Sequence, residues 1–180
     1  MGKISTPLPV KLFTGVITSM PDLVAEVEAG LSGSCGPVDL RSEAYPFDLT
    51  SYYDRDMGTP LRRFFLGFRD LVSPEALVKL KLQANELEAD MARRSQGVPR
   101  PVNVDPGYLE EAKIVLASTK NFTHRIYLAG GIYAEVTLHY QDRGWRHYPW
   151  TFPDFRSGRY DAFFSELRRI YMAQLRSCKP

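Results

Sequence analysis

Cysteine is nearly absent from this 180-residue chain, and the two present, Cys35 and Cys178, sit in neither a metal-ligand nor a redox spacing. That excludes a small secreted domain stapled by disulfides. No stretch approaches the roughly 20 apolar residues that cross a bilayer. The N-terminal Met-Gly-Lys-Ile-Ser-Thr-Pro-Leu-Pro lacks the apolar core of an export signal. A reducing cytoplasm and no membrane partner are therefore expected. Gly-x-x-x-x-Gly-Lys-Ser/Thr is missing too; Gly30, Gly33 and Gly36 come without the lysine and hydroxyl that hold phosphates in ordinary GTPases. A dinucleotide fingerprint and a Gly-x-Ser-x-Gly elbow are also absent.

Aromatic residues are plentiful: 10 Phe, 10 Tyr and 2 Trp. Such residues are there to be buried or stacked, which argues against a disordered chain. Hydrophobic residues at 44% and charged ones at 24% are ordinary for a globular protein. At this length the chain reads as a single domain, 1–180. The net charge of +2 is unevenly spread. Residues 1–60 carry four Lys/Arg against eight Asp/Glu, and residues 61–180 carry nineteen against thirteen. The second part is therefore the half that suits an anionic partner.

Periodicity orders the elements. Val10–Thr18 reads as a central strand between prolines, and Leu23, Val24, Val27 and Leu31 as a helix closed by Gly33. Strands are expected across Val38–Phe47 and Phe64–Phe68. Ser73-Pro74-Glu75 has the hydroxyl, proline and acid of a helix start, and Leu77, Leu80, Ala84, Leu87 and Met91 carry that helix to about residue 94. After a linker at 95–101, a short strand Val102–Val104 is expected. A helix opened by Asp105-Pro106, with Leu109, Ala112 and Leu116 on one face, follows. A final helix spans about 158–176. Arg125–Tyr140 alternates as a hairpin. A three-residue Ala129-Gly130-Gly131 loop sets Leu128 opposite Ile132, Tyr127 opposite Tyr133 and Arg125 opposite Glu135, keeping one face apolar. The expected fold is α/β (α+β): a two-layer protein with a mixed, mostly antiparallel sheet. It starts as a ferredoxin-like βαββ unit, extended by the hairpin and closed by the C-terminal helix.

Candidate chemistry concentrates between Ser118 and Arg125. Thr119, Lys120, His124 and Arg125 offer a hydroxyl, two cations and an imidazole, an inventory suited to an anion. A solvated polar loop is the plainer reading of the same residues. Glu135, mid-strand, either pairs with Arg125 for structure or serves as a base in a site. Asn103 and Asp105 sit at a junction where α/β sites gather, although Asp105 could simply cap a helix. Lys81, Asn85 and Glu88 form a polar stripe on one helix. Glu43 and Asp48 are candidates to join Glu135 around a divalent cation, whereas His124, His139 and His147 have no zinc spacing. No cofactor is indicated.

Several stretches resemble a known family: Tyr45–Thr50, Asn85–Glu88, Asn103–Leu109, Leu116–Lys120, His124–Leu128, Ile132–Leu138 and Pro149–Asp154. They are similar to a prokaryotic family of about this length, catalogued as a domain of unknown function and sometimes labelled a GTP-binding protein. The resemblance implies no mechanism. Two functions compete. One is binding, with or without transformation, of a small phosphate- or carboxylate-bearing ligand such as a nucleotide. Here Lys120, Arg125, Thr119, Asn103, Glu43, Asp48, Asn85 and Glu88 would contact the ligand, and Glu135, His124 and Asp105 would carry acid–base chemistry. The other is a non-catalytic RNA- or protein-binding module built on the basic C-terminal part and its aromatics Trp145, Tyr148, Trp150, Phe152 and Phe155.

Overall fold

A computed structural model describes residues 2–177. The chain runs β1 (Val10–Thr18), α1 (Leu23–Cys35), β2 (Val38–Arg41), β3 (Tyr45–Pro46), a single turn α2 (Asp54–Met57), β4 (Arg62–Val72), α3 (Ala76–Arg94), β5 (Asn103–Glu110), β6 (Lys113–Ser118), β7 (Ile126–Ala129), β8 (Ile132–Gln141), β9 (Gly144–His147), α4 (Pro153–Arg156) and α5 (Asp161–Ser177). The nine strands form one open sheet in the order β2-β4-β1-β5-β6-β8-β7, with β3 against β4 and β9 against β8. Every strand pairing among the described residues is antiparallel. The order of β2, β4, β1 and β5 with α1 and α3 completes the split βαβ unit expected from the βαββ start.

β1 is buried along its whole length because both of its faces are covered. Leu12 and Val16 pack with Val27 and Leu31 of α1 and Leu80 and Ala84 of α3. Phe13 packs with Phe163, Phe164 and Leu167 of α5 on the opposite face. The expected two layers therefore become three, since α5 turns its apolar stripe onto the face that α1 and α3 leave bare. Phe65 of β4 is the hub of that second face: its ring meets those of Phe13, Tyr45, Phe155, Tyr160, Phe163 and Phe164 at centroid separations of 4.8–6.4 Å.

The structure corrects several sequence expectations. Residues 105–116 are not a helix but the hairpin β5–β6, turned at Glu111-Ala112. Ile114, Val115, Leu116 and Ala117 are all buried. Four consecutive apolar residues fill both faces of a strand, whereas the spacing of Leu109, Ala112 and Leu116 matched a helix by coincidence. Asp105 is consequently mid-strand and caps nothing. α1 continues past Gly33 to Cys35 and stops at Gly36, whose φ of 79° suits glycine. Val38–Phe47 breaks into β2 and β3. In the β7–β8 hairpin Ile126 faces Ala134 and Tyr127 faces Tyr133 as expected, but Ala129 rather than Leu128 pairs with Ile132. The loop is the two-residue Gly130-Gly131, both with positive φ, and a bulge at Leu128 absorbs the extra residue. All four β7 residues are exposed, because β7 is the sheet edge.

β6 pairs with β5 only as far as Leu116↔Gly107, while β1 stays paired with β5 through Pro106, Asp105, Val104 and Asn103. Pro106 has no N–H with which to extend a ladder, so the first half of β5 has a free side toward β6. β6 continues instead beside β8, through Ala117↔Ala134 and Ser118↔Tyr133. The sheet forks at Gly107. A Cβ there would lie 2.5 Å from the Val115 carbonyl oxygen and 2.7 Å from Phe13 Cζ. Gly107→Ala should therefore cost about 2 kcal/mol, measured as a lowered denaturation midpoint at unchanged slope.

Candidate functional site

The fork encloses a cavity of about 1000 Å³. One wall comes from β4, α3 and β5, the other from the end of β6, the 118–125 loop and β8, with residues 47–53 and 152–155 above them. Five cations (Arg63, Lys81, Arg100, Lys120, Arg125) and four carboxylates (Glu88, Asp105, Glu135, Asp154) line it. Buried charge is costly unless it is paired, and nearly all of these groups are.

On the α3 side, the helix aims its Lys81-Asn85-Glu88 stripe into the fork, since these positions flank the buried Leu80 and Ala84. Lys81 Nζ donates to the Val104 carbonyl at 2.8 Å and lies 3.9 Å from Asp105 Oδ1. Glu88 accepts the Val104 N–H at 2.8 Å and Arg100 Nη2 at 2.9 Å. Arg100 also reaches Asn103 Oδ1, and Asn103 Nδ2 donates to Asp105 Oδ2 at 2.7 Å. Burial pushes the Glu88 carboxyl above its usual range, against the pull of Lys81, the Val104 N–H and Arg100. Burial, with the nearby Asp105 charge, also pushes the Tyr53 phenol up to about 12.

Arg63 forms the floor and is only 5% exposed. Its guanidinium lies 5.0, 5.7 and 5.4 Å from the ring centres of Phe47, Phe65 and Phe155. Asp154 Oδ2 is 3.4 Å from Nε and Asp105 Oδ2 is 3.5 Å from Nη2. Burial alone would lower its pKa, but Asp154 and Asp105, with smaller help from Tyr160 and Tyr53, together raise it. Its Nε is nevertheless buried without a hydrogen bond.

Across the fork, Glu135 is 3% exposed and gathers the 118–125 loop. Its Oε2 accepts Arg125 Nε at 2.7 Å and lies 3.0 Å from His124 Nε2. Thr137 Oγ1 donates to Oε1 at 3.4 Å. Arg125 Nη1 binds the Lys120 carbonyl at 3.0 Å, so the Glu135 charge holds the loop backbone through one guanidinium. The His124 ring stacks on Trp150 at 5.4 Å, and Trp150 on Tyr148 at 4.8 Å. Lys120 Nζ crosses toward the other wall, donating to Tyr52 Oη at 3.2 Å.

The model of the family described as a domain of unknown function (DUF4416) matches residues 8–171. The chain belongs to this family. No curated protein and no solved structure matches it.

In this DUF4416 chain, Glu135, Asp105, Lys120, Arg125, Thr119, Asn103, Asn85 and Glu88 all line the one cavity. His124 does not line it but touches Glu135 from behind. Glu43 and Asp48 stay outside. Glu43 is exposed, and Asp48 pairs with Arg159 at 2.8 Å on the surface, because the β3 segment carries both away from β8. They do not join Glu135, and no group of three His, Cys, Asp or Glu residues with metal-holding geometry occurs among the described residues. Gly30 and Gly33 lie within α1 and cradle nothing. Among the described residues, no helix is long and apolar enough to cross a membrane. Arg63, Arg100 and Asp154 went unforeseen. Arg63 had a signal, since a charge two residues before Phe65 in a strand must share that residue's inward face.

Two outcomes follow from this pairing. Glu135→Gln removes the buried countercharge of the mostly covered Arg125, so denaturation should show a loss of about 3 kcal/mol, where an exposed pair would cost ~0.2–1 kcal/mol. Glu88, whose folded pKa is raised, contributes stability below its ordinary pKa and loses it as pH rises through the raised value. Glu88→Gln should therefore gain stability relative to the wild type as denaturation is repeated from acid to neutral pH.

Proposed function

We propose that the fork cavity binds a small anionic ligand bearing a phosphate or carboxylate, a nucleotide being one such molecule. The observation that carries this is Lys120. Arg63, Lys81, Arg100 and Arg125 each face a carboxylate, whereas Lys120 has only the neutral Tyr52 phenol among the described residues. Its Nζ also sits 5.2 Å from the Tyr52 ring centre. A cation held at a cavity mouth by a phenol exchanges that partner for a phosphate at little cost. Ser118 and Thr119 add hydroxyls beside it, and Tyr52, Tyr53 and Phe152 provide flat apolar wall for the body of the ligand. The volume is at the upper end of that usual for small-molecule sites. The stretches that carry the family resemblance supply much of the lining, including Asn103, Asp105, Lys120, Arg125 and Glu135. Phosphorylated metabolites are cytoplasmic ligands, and we assign the protein that location with them.

Of the three residues expected to carry acid–base chemistry, Glu135 has its Oε2 occupied by Arg125 and His124, and both it and His124 act here by holding the loop. Asp105 alone keeps a carboxylate oxygen, Oδ1, without a hydrogen bond among the described residues. The competing RNA- or protein-binding reading has less behind it. Trp145 and Phe155 are buried in the α5 cluster. Trp150 is stacked on both Tyr148 and His124, and its indole N–H is donated to the Val136 carbonyl at 3.2 Å.

Thermal-shift measurements against GTP, ATP and inorganic phosphate, with and without magnesium, test the proposal. A ligand at a hundredfold excess over its Kd should raise the apparent stability by about 2.7 kcal/mol. Lys120→Gln should leave the unliganded melting curve unchanged and weaken binding about tenfold or more. Binding that Lys120→Gln leaves untouched would refute it.

A further inference from the structure

The floor of the fork differs in character from its mouth. Arg63 and Lys81 there are balanced by Asp105 and Asp154, and Arg100 by Glu88, so the floor has no excess positive charge to attract a second anion. It does have unmet hydrogen-bonding capacity of both kinds. Arg63 Nε is buried and makes no hydrogen bond, its one nearby acceptor, Asp154 Oδ2, lying 3.4 Å away out of line. Asp105 Oδ1 accepts no hydrogen bond among the described residues; its nearest cation, Lys81 Nζ, is 3.9 Å away. Asp105 is partly open to the cavity, with 26% of its side chain exposed, and its other oxygen is 3.5 Å from Arg63 Nη2. A guanidinium lining the cavity with donor capacity to spare, next to an open carboxylate oxygen, suits a group that both donates and accepts. A hydroxyl is such a group, and a carboxylate or phosphate is not.

Resting on the reading that Lys120 takes the anionic end, we propose that the floor formed by Arg63 and Asp105 binds the hydroxyl groups of a sugar-like body, which makes the ligand a phosphorylated sugar or polyol. The Asp105 carboxylate accepts from one hydroxyl, and the Arg63 guanidinium donates to hydroxyl oxygen. Phe47 and Phe155, already against Arg63, shut water out of this end. A site built around a buried charge pair in this way rejects an analogue that lacks the hydroxyls, since the polar groups are then desolvated without partners.

Isothermal titration of the full chain with ribose 5-phosphate, pentyl phosphate and inorganic phosphate separates the floor from the mouth. We expect ribose 5-phosphate to bind at least about tenfold more tightly than pentyl phosphate, which has a similar length and the same phosphate. In Asp105→Asn the preference for ribose 5-phosphate over pentyl phosphate should largely vanish, since both esters carry the same phosphate and feel the lost floor charge alike. If the wild type binds ribose 5-phosphate and pentyl phosphate equally, the hydroxyl site is overturned and the anion site at Lys120 stands. If the wild type binds none of the three, the anion site falls, and this inference falls with it. Should Asp105→Asn not fold, the wild-type comparison of the two esters decides by itself.

Discussion

A proline in a strand has no N–H to give to a neighbour, and at Pro106 that missing donor separates the two parts of this sheet. β1 remains paired with the first half of β5, but β6 stops at Gly107 and leaves with β8 and β7. A regular ladder would have closed the space by setting Pro106 opposite Ala117 and Asp105 opposite Ser118. The fork instead gives Asn103 and Asp105 a free edge, and it gives Lys81 and Glu88 of α3 backbone groups to hold at Val104. The cavity is thus a property of strand pairing, and the charged side chains occupy a space that the backbone had already opened.

That space is lined by charge, and its organisation follows from the cost of leaving a buried ion alone. Glu135 meets the cost by collecting Arg125 and His124, which brings the 118–125 loop onto the sheet edge and fixes where Lys120 projects. Arg63 meets it with two carboxylates from distant parts of the chain, Asp105 in β5 and Asp154 at the start of α4. The pairing is close to complete on the floor and deliberately short by one carboxylate at the mouth. A cavity arranged in this way is neutral inside and positive at its entrance.

The aromatic cluster ties the site to the rest of the fold. Phe65 gathers rings from β1, β3 and α5 together with Phe155, and Phe155 comes from the same turn as Asp154. Packing α5 onto the sheet therefore delivers a carboxylate to Arg63, and Tyr160 holds that carboxylate by donating to Asp154 Oδ2 at 3.1 Å. The stability of the second face and the geometry of the cavity floor depend on the same contacts, so core substitutions around Phe65 act on the site as well.

Local pattern alone determined much of this protein. The periodicity of α3 and α5 and the strand character of Val10–Thr18 depend on neighbours in sequence. The anion-suited inventory at 118–125 and the pairing of Arg125 with Glu135 were legible for the same reason. Tyr127 faces Tyr133 as expected from a three-residue loop, but through a two-residue loop and a bulge at Leu128 that alternation does not reveal. Tertiary structure decided what local signals left balanced. Pro106 starts a helix and ends a strand ladder equally well, and only the burial of both faces of Ile114–Ala117 resolved it in favour of strands. Asp48 and Glu43 looked like partners of Glu135 because sequence gives residue types without directions, and the sheet carried them elsewhere. Arg63, Asp105 and Asp154 lie in three separate segments, and they meet because burying an arginine requires countercharge from wherever the fold can supply it.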